Sequence, residues 1–193
     1  MLEHEKKALL TKNEYSLLLK RYKNASVSTQ VNYYFDTDDL SMHKKGITCR
    51  IREKKGKFKA TVKKHGYQGA DCSAEQDIIE KSQFDPAPFH ALGLRLQGML
   101  VTERTLAYKD PFCEMVLDRN TYLGGTDYEI EIEYQADYEK EAVSLLKTVA
   151  KLLTNEGLID KEEDFSSRTA QSTSKSHRFF VKKCKGACIC NPF

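Results

Sequence analysis

The stretch ITCRIRE, residues 47–53, alternates apolar and charged residues and decides the predicted fold. Successive side chains of a β-strand point to opposite faces, so Ile51 faces one way while Arg50 and Arg52 face the other. A dry sheet face cannot hold these arginines unpaired, because burying an isolated charge in an apolar core costs several kcal/mol or more. The stretch therefore predicts a strand with one packed face and one hydrated, charged face.

The same alternation recurs in other segments of the chain. In residues 2–8 the shared charged face carries Glu3, Glu5 and Lys7, and in residues 72–79 the charged face is acidic. The remaining candidate strands are residues 31–35, 57–64, 99–108, 112–120 and 128–134. About eight antiparallel strands with helices on their apolar faces can close into a barrel with a hydrated interior.

We therefore predict an α+β fold: a closed eight-stranded antiparallel β-barrel, or tunnel, with helices packed on the outside. The alternative is an antiparallel sheet whose charged face meets solvent. Solvated faces usually mix signs of charge, whereas here the charged face of residues 47–53 is basic and that of residues 72–79 is acidic. This segregation favours the tunnel.

Two helices have clear signals in the sequence. Thr11 and Glu14 form a capping box at the start of the first one. The second is predicted over residues 137–157, with Asp137 as N-cap, an apolar stripe and a glycine C-cap. Residues 85–96 are expected to form a helical connection, entered through prolines that tolerate a first turn.

A chain of 193 residues fits one hydrophobic core, and a single domain is expected over residues 1–181. Serines and threonines dilute the pattern after residue 166, and residues 182–193 are expected to be a mobile tail. This tail contains a cluster of cysteines with no matching His or Cys group elsewhere, so free thiols are favoured over a metal site. The cluster is Cys184, Cys188 and Cys190.

The net charge is only +3, but the charges are segregated along the chain. Residues 44–64 are strongly basic and residues 127–141 strongly acidic. This balance does not fit a general nucleic-acid binder, and no segment approaches the ~20 apolar residues of a membrane span. We expect a soluble, cytoplasmic monomer or homodimer with reduced cysteines and with neither a nucleic acid nor a membrane as partner.

A lumen that is basic on some strands and acidic on others suits a polyphosphate and its metal ions. Arg and Lys neutralise phosphoryl oxygens, and Arg does so with bidentate geometry. Clustered carboxylates hold hard divalent cations such as Mg²⁺ or Mn²⁺. The histidines lack the spacing of a zinc site, and the sequence contains no Gly-rich phosphate loop.

A series of landmarks runs along nearly the whole chain, beginning with Glu3-His4-Glu5-Lys6-Lys7. The others are Tyr34-Phe35-Asp36-Thr37, Arg50-Ile51-Arg52, Lys59-Ala60-Thr61-Val62-Lys63, Glu75, Arg104, Asp118, Glu129-Ile130-Glu131-Ile132-Glu133 and Ser174-Lys175-Ser176-His177-Arg178. The first matches the Glu-x-Glu-x-Lys signature of the CYTH domain family, also called triphosphate tunnel metalloenzymes, and the rest follow in family order. The sequence thus resembles this family.

The resemblance implies an eight-stranded tunnel that hydrolyses a small-molecule triphosphate with Mg²⁺ or Mn²⁺. It implies that the metal is bound by Glu3 and Glu5 with Glu129 or Glu131. It further implies that a second metal is bound, or a basic neighbour oriented, by Glu75 and Asp118. The residues implied to hold phosphoryl oxygens are Lys7, Arg50, Arg52, Lys63, Arg104, Lys175 and Arg178. Glu5 is the first candidate for activating the attacking water, and Glu131 is the alternative.

Inorganic tripolyphosphate is the first substrate hypothesis, because the landmarks account for a triphosphate, a metal and a water but show no base-recognition site. A thiamine or nucleoside triphosphatase is the nearest alternative. The resemblance also permits a class IV-type adenylyl cyclase, in which the 3′-hydroxyl of ATP replaces water. A non-catalytic polyphosphate-binding or nucleotide-binding module is a further alternative, but it would not need so complete a set of carboxylates.

Overall fold

Eight antiparallel strands form a closed barrel in the computed structural model, which describes residues 2–23, 25–66 and 72–189. The strands follow the order β1-β5-β4-β3-β2-β6-β7-β8, and β8 pairs with β1 to close the barrel. They are β1 Leu2–Leu10, β2 Ser26–Asp36, β3 Ile47–Lys54, β4 Lys57–His65, β5 Cys72–Lys81, β6 Arg95–Lys109, β7 Cys113–Tyr122 and β8 Gly125–Tyr134. The predicted fold class is confirmed.

Strand β1 pairs with a neighbouring strand on each side. On one side β1 pairs with β8 from His4 to Leu10, whereas on the other side its described pairs with β5 run only from Leu2 to His4. The β4–β5 ladder also shifts register between Ala60 and Thr61, which marks a bulge.

Helices cover the outside of the barrel, and residues 136–138 form a short 3₁₀ turn. The helices are α1 Lys12–Arg21, α2 Ser41–Lys44, α3 Ala87–His90, α4 Glu139–Asn155, α5 Glu162–Gln171 and α6 Lys175–Ile189. The predicted capping box of α1 is confirmed, since Thr11 and Glu14 each bond the other's backbone N–H. The predicted N-cap at Asp137 is wrong, because Asp137 lies in the 3₁₀ turn and α4 begins at Glu139. None of the described helices has the length and apolarity that a membrane crossing requires.

The apolar core lies between the strands and the helices, outside the barrel lumen. Ala8, Leu117 and Ile130 project outward from three neighbouring strands and are fully buried against Leu153 of α4 and Phe165 of α5. A second apolar cluster covers the outer face of β3 and β4. The strands thus place their apolar faces outward, as the alternation in residues 47–53 predicts.

The sequence predicts a mobile tail over residues 182–193, whereas residues 182–189 continue α6, and residues 190–193 lie outside the described part of the chain. Lys183 Nζ donates a hydrogen bond to the carbonyl of Gln97 at 2.7 Å. Phe179 and Phe180, one turn earlier, are buried against the inward-facing Tyr34 of β2. A pair of adjacent aromatic residues gives no helical periodicity, but it anchors α6 across one end of the lumen.

The close approach of α6 depends on a glycine of β6. Gly98 has a φ of +144°, and a Cβ built there would lie 2.8 Å from Cζ of Phe179. A larger residue at this position would therefore push the aromatic ring away from the barrel. Helix α5 is a second difference from the prediction, because its serine-rich sequence offers one large apolar anchor, Phe165, instead of a stripe.

Candidate functional site

Charged side chains of the strands converge on a small cavity of about 60 Å³ inside the barrel. Its lining includes nine of the residues that the sequence predicts for the site. The lining consists of Glu3, Glu5, Lys7, Gln30, Tyr34, Thr48, Arg50, Arg52, Lys63, His65, Arg104, Glu131, Glu133, Ser174, Lys175 and Ser176. The alternation of the strands therefore places the predicted charged residues in a common lumen.

Three carboxylates form a compact cluster on the wall made by β7 and β8. Oxygens of Asp118, Glu129 and Glu131 all lie within 4.8 Å of one another, and all three residues are buried. Asp118 and Glu129 are direct partners in the β7–β8 ladder, and Glu131 follows two residues later on the same face of β8. Three buried carboxylates on adjoining strands match the hard oxygen ligands that Mg²⁺ and Mn²⁺ prefer.

The ammonium of Lys175 lies within this carboxylate cluster. Its Nζ is 2.9 Å from Asp118 Oδ2, 2.5 Å from Glu129 Oε1 and 2.6 Å from Glu131 Oε1. Burial lowers the pKa of Lys175, but attraction by the three carboxylates outweighs it and the pKa lies above its usual range. The Lys175 ammonium thus places one positive charge among the three carboxylates, where a divalent ion would be bound.

Arg104 and Arg178 complete the charge balance of this wall. Arg104 binds Asp118 in a bidentate manner, with N–O distances of 2.9 and 2.7 Å, and its Nη2 also donates to Glu131 at 2.5 Å. Arg178 Nε donates to Asp127 at 2.9 Å, and its Nη2 lies 3.0 Å from Glu129 Oε2. Although this contact is close, Glu129 Oε2 accepts no hydrogen bond within the described structure.

The carboxylates of the cluster differ in their acidity. Burial raises the pKa of Glu131, but Lys175 and Arg104 bring it well below the usual range. Burial dominates at Glu129, whose pKa is raised despite Lys175 and Arg178. Glu131 is therefore firmly ionised, whereas burial makes Glu129 less acidic even though Lys175 and Arg178 contact it.

The carboxylates of β1 lie outside the compact cluster and contact lysines. Glu3 Oε2 accepts a hydrogen bond from Lys63 Nζ at 2.6 Å, and Glu5 Oε1 accepts one from Lys7 Nζ at 2.6 Å. Lys63 Nζ is also 3.7 Å from Glu5 Oε1. Burial raises the pKa of Glu5, but Lys7 and Lys63 lower it below the usual value, so Glu5 is ionised.

On the opposite wall, Arg50 has a carboxylate partner and Arg52 has none among the described residues. Arg50 Nη2 donates to Glu75 Oε2 at 2.7 Å, whereas Arg52 Nε donates only to the amide oxygen of Asn32, at 3.0 Å. Burial, together with repulsion from Arg50 and Arg104, lowers the pKa of Arg52 to about 10. Arg52 is therefore a part-buried cation with no carboxylate in salt-bridge contact among the described residues, and the attraction of Glu75 only partly offsets the lowering of its pKa.

Two neutral groups beside Arg52 are also unsatisfied. The Asn32 Nδ2 and Gln30 Oε1 atoms are buried and have no hydrogen-bond partner in the described residues. Native proteins leave few buried polar atoms without partners. The Asn32 amide therefore offers a donor to an anion beside Arg52, and the Gln30 amide oxygen offers an acceptor to a donor such as water.

A CYTH domain family model matches residues 1–169 of the chain. The chain belongs to the CYTH domain family. The Bacillus subtilis (strain 168) protein described as "Putative triphosphatase YjbK" is 28% identical over 200 residues, covering 95% of this CYTH chain and 97% of that protein.

Solved structures agree on the fold. A Bacillus halodurans crystal structure described as a "putative adenylate cyclase" is 26% identical, with a TM-score of 0.64, and the match covers 92% of this CYTH chain and 97% of that one. The Hippeastrum protein HpAC1 is 17% identical, with a TM-score of 0.56 and coverage of 81% and 88%. That level of identity shows a shared fold alone.

The geometry separates the predicted site residues of this CYTH chain into three groups. Glu129, Glu131 and Asp118 form the carboxylate cluster, and Lys175 and Arg178 bind it instead of projecting into open space. Glu75 contacts Arg50, which is the orienting role that the resemblance offered as an alternative to binding a second metal. The roles of the remaining residues stay predictions.

The sequence analysis did not identify the neutral side chains that contact Arg50 and Arg52, or the acidic partner of Arg178. Asp127 holds Arg178 and accepts a hydrogen bond from the Tyr122 hydroxyl at 2.6 Å. Asn32 orients Arg52, and Thr61 accepts a hydrogen bond from Arg50 Nε at 3.2 Å. Asp127 shares a strand face with the glutamates of β8, and this alternation is the signal that could have identified it.

Proposed function

We propose that this CYTH chain is a divalent-metal-dependent triphosphatase that hydrolyses inorganic tripolyphosphate to pyrophosphate and phosphate. The observation that carries the proposal is the part-buried cation Arg52, which lacks a carboxylate partner in a lumen whose other wall holds three clustered carboxylates. A polyphosphate would supply the negative charge that Arg52 lacks, and the carboxylate cluster has the oxygen ligands that its metal ion would need. The description of the Bacillus subtilis relative as a triphosphatase supports the same reading.

Substrate binding depends on the basic wall. Arg52 and Arg50 project from alternate positions of β3, and Lys63 lines the same cavity from β4. Phosphoryl oxygens attract all three, and the guanidinium groups add bidentate geometry. Glu75 and Thr61 hold Arg50 in a fixed orientation, which reduces the entropy lost when the substrate binds.

The carboxylates would hold the metal and the attacking water. Glu129, Glu131 and Asp118 fit a Mg²⁺ or Mn²⁺ ion, with Glu3 and Glu5 as the further predicted ligands. When bound, the ion supplies charge neutralisation for the phosphoryl oxygens and the leaving group. The chain itself aligns the phosphate groups, so that a water can attack in line with the bond that breaks.

Glu5 is the preferred acceptor of the proton from that water. Lys7 and Lys63 both contact its Oε1, so its Oε2 can face a water molecule in the cavity. Both oxygens of Glu131, in contrast, accept hydrogen bonds from Lys175 and Arg104. Glu131 is therefore the second choice for this role.

A panel of substrates tests the proposal. Purified protein is incubated with tripolyphosphate, ATP, thiamine triphosphate or pyrophosphate, each with Mg²⁺ or Mn²⁺, and phosphate and cyclic AMP are measured. We expect phosphate from tripolyphosphate, and a Glu5→Gln variant that is folded but inactive. Absence of product from every pair contradicts the enzyme assignment and leaves a binding module. Unchanged turnover in Glu5→Gln removes Glu5 from the reaction.

Adenylyl cyclase activity is the second candidate, because the 26% identical Bacillus halodurans structure carries that description. The ATP arm of the panel separates the two reactions. A cyclase forms cyclic AMP and pyrophosphate from ATP, whereas a triphosphatase forms phosphate without cyclic AMP.

A further inference from the structure

His65 lines the lumen cavity from the last position of β4. It shares the inner face of that strand with Lys59, Thr61 and Lys63, because residues two apart along a strand point to the same side. Neither the family resemblance nor the proposed reaction assigns it a part. Its place beside Lys63 puts an imidazole where the phosphate groups of the proposed substrate would lie.

A chain of hydroxyl groups joins His65 to the first turn of α6. Thr48 Oγ1 lies 2.9 Å from His65 Nε2 and 2.7 Å from Ser176 Oγ. Ser176 Oγ lies 3.0 Å from Ser174 Oγ, which accepts a hydrogen bond from the backbone N–H of His177 at 3.1 Å. We call Thr48, Ser176 and Ser174 the hydroxyl chain. Because Thr48 and Ser176 are buried, its contact with the imidazole is shielded from solvent.

The direction of the hydrogen bonds in the hydroxyl chain favours one tautomer of His65. The backbone N–H of His177 can only donate, and each hydroxyl can accept one hydrogen bond while it donates another. Ordered from that N–H, the hydrogen bonds run from Ser174 to Ser176 and then to Thr48, and the last is accepted by His65 Nε2. The opposite direction would leave the hydroxyl hydrogen of Ser174 outside the chain. Nε2 therefore carries the lone pair of the neutral ring, and Nδ1 carries the hydrogen.

The Nδ1 atom of His65 has no hydrogen-bond partner among the described residues, since the contacts of this ring all involve Nε2. Burial lowers the pKa of the ring to about 4, and Lys63 and Lys7 add to this effect. Arg50 acts in the same direction, and only Glu5 opposes it. The imidazole is therefore neutral near pH 7. It can donate one neutral hydrogen bond to an anion that the surrounding cations attract.

We infer that His65 is a further substrate-binding residue, which donates a hydrogen bond from Nδ1 to a phosphoryl oxygen, and that Thr48 is the residue that positions its ring. The inference rests on the proposed function and adds a neutral donor to the cations of the lumen. The flexible lysines attract any phosphate group, whereas a ring held at Nε2 donates in one direction and fixes the place of one oxygen. Because the hydroxyl chain begins on α6, this direction depends on the packing of that helix against the barrel.

Nitrogen-15 NMR of the free protein tests the positioning role without any substrate. We expect the Nδ1–H form of His65 near pH 7 in the wild-type protein, with its resonances assigned by their loss in His65→Gln. Thr48→Val keeps the shape of the side chain but removes the hydroxyl, so both tautomers should be populated. Thr48→Ser restores the hydroxyl and should restore the single form. The Nε2–H form in the wild-type protein, or an unchanged single form in Thr48→Val, overturns the positioning role.

Two variants of His65 separate substrate binding from ring positioning. The amide of Asn can place a donor near the Nδ1 position, whereas that of Gln reaches the Nε2 position. Calorimetry with Mg²⁺ and diimidotriphosphate, a tripolyphosphate analogue with nitrogen at both bridging positions, measures the affinity. His65→Gln should weaken binding by about tenfold, the value of one hydrogen bond to a charged group, and His65→Asn by about twofold or less. His90→Gln, at an exposed position of α3, is the matched control and should leave the affinity unchanged.

The order of the two affinities decides the outcome. Equal affinities of His65→Gln and His65→Asn, or the reverse order, overturn the inference and leave the proposed triphosphatase intact. The reverse order would assign His65 to the hydroxyl chain alone. Absence of any binding of diimidotriphosphate to the wild-type protein contradicts the proposed function together with the inference. Thermal unfolding of each variant checks that it is folded before its affinity is compared.

Discussion

The two walls of the lumen use the same residue type in opposite ways. Arg104, on the wall of β6 to β8, binds two carboxylates, and their attraction raises its pKa well above the usual value despite burial. Arg52, on the facing wall, contacts only an amide, and burial lowers its pKa to about 10. The difference teaches that a buried arginine in this barrel is either part of the architecture or a binding group, depending on its partners.

The largest expected effect is on folding, from Arg104→Met. Removal of Arg104 leaves the carboxylates of Asp118 and Glu131 less compensated in a buried site, and such a loss costs about 3–5 kcal/mol. Urea unfolding should show this decrease in the free energy of unfolding. Arg119→Met is the control, because its ion pair with Glu103 is exposed and worth about 1 kcal/mol or less. Similar losses in the free energy of unfolding for both variants would show that Arg104 contributes no more to stability than an exposed arginine.

The next expected effect is on the pH dependence of stability and acts through His65, which burial and, secondarily, Lys63 keep uncharged. Burial and Lys63 depress its pKa from 6.5 to about 4, so the folded protein resists a proton that the unfolded chain accepts. Stability should therefore fall as pH drops from about 6.5 towards 4, by at most about 3 kcal/mol from this group. Unfolding measured across this range should show a smaller slope in His65→Gln. An equal slope in both proteins would show that the folded protein does not depress the pKa of His65.

A third effect separates binding from stability at Arg52. Arg52→Met removes a part-buried cation without a carboxylate partner, so the free energy of unfolding should stay within about 1 kcal/mol or rise. The same variant should bind tripolyphosphate roughly 10- to 100-fold more weakly, because it loses charge-assisted hydrogen bonds. Lys54→Met, at an exposed position two residues along β3, should weaken binding less. A stability loss without a binding loss would assign Arg52 to the architecture instead.

The smallest expected effect is on the affinity of the acidic wall for a metal ion. If Lys175 holds the place of a divalent ion, Lys175→Met should bind Mn²⁺ more tightly, by roughly tenfold or about 1.4 kcal/mol. Calorimetric titration of the metal without substrate measures this change. Lys182→Met is the matched control. Lys182 lies on the same helix as Lys175, but it contacts the carbonyl and ring of Tyr122 on β7. Unchanged Mn²⁺ affinity would mean that Lys175 and the ion do not compete.

Much of the lumen could be predicted because the side-chain period of a strand is a local property. The alternation around Arg50 and Arg52 places both in the lumen without knowledge of their neighbours. Their partners depend on strand order instead: Glu75 reaches Arg50 from β5 across β4. Sequence alone therefore identifies the charges that enter the lumen but not which of them neutralise one another.

The C-terminal helices show where local patterns fail. Helix α5 is anchored by Phe165 and α6 by the adjacent Phe179 and Phe180, and neither sequence repeats apolar residues at helical spacing. Their stability depends on tertiary packing against the barrel, which outweighs weak local preference. The position of Lys175 follows from that packing, so its place among the carboxylates could not be derived from spacing.

The most direct test of the two-wall account is phosphate release from tripolyphosphate by the wild-type protein, with Mn²⁺ and then with excess chelator. We expect one phosphate and one pyrophosphate for each tripolyphosphate with the metal, and no release after chelation. Retention of the tripolyphosphate with Mn²⁺, or equal release with chelator, would contradict it.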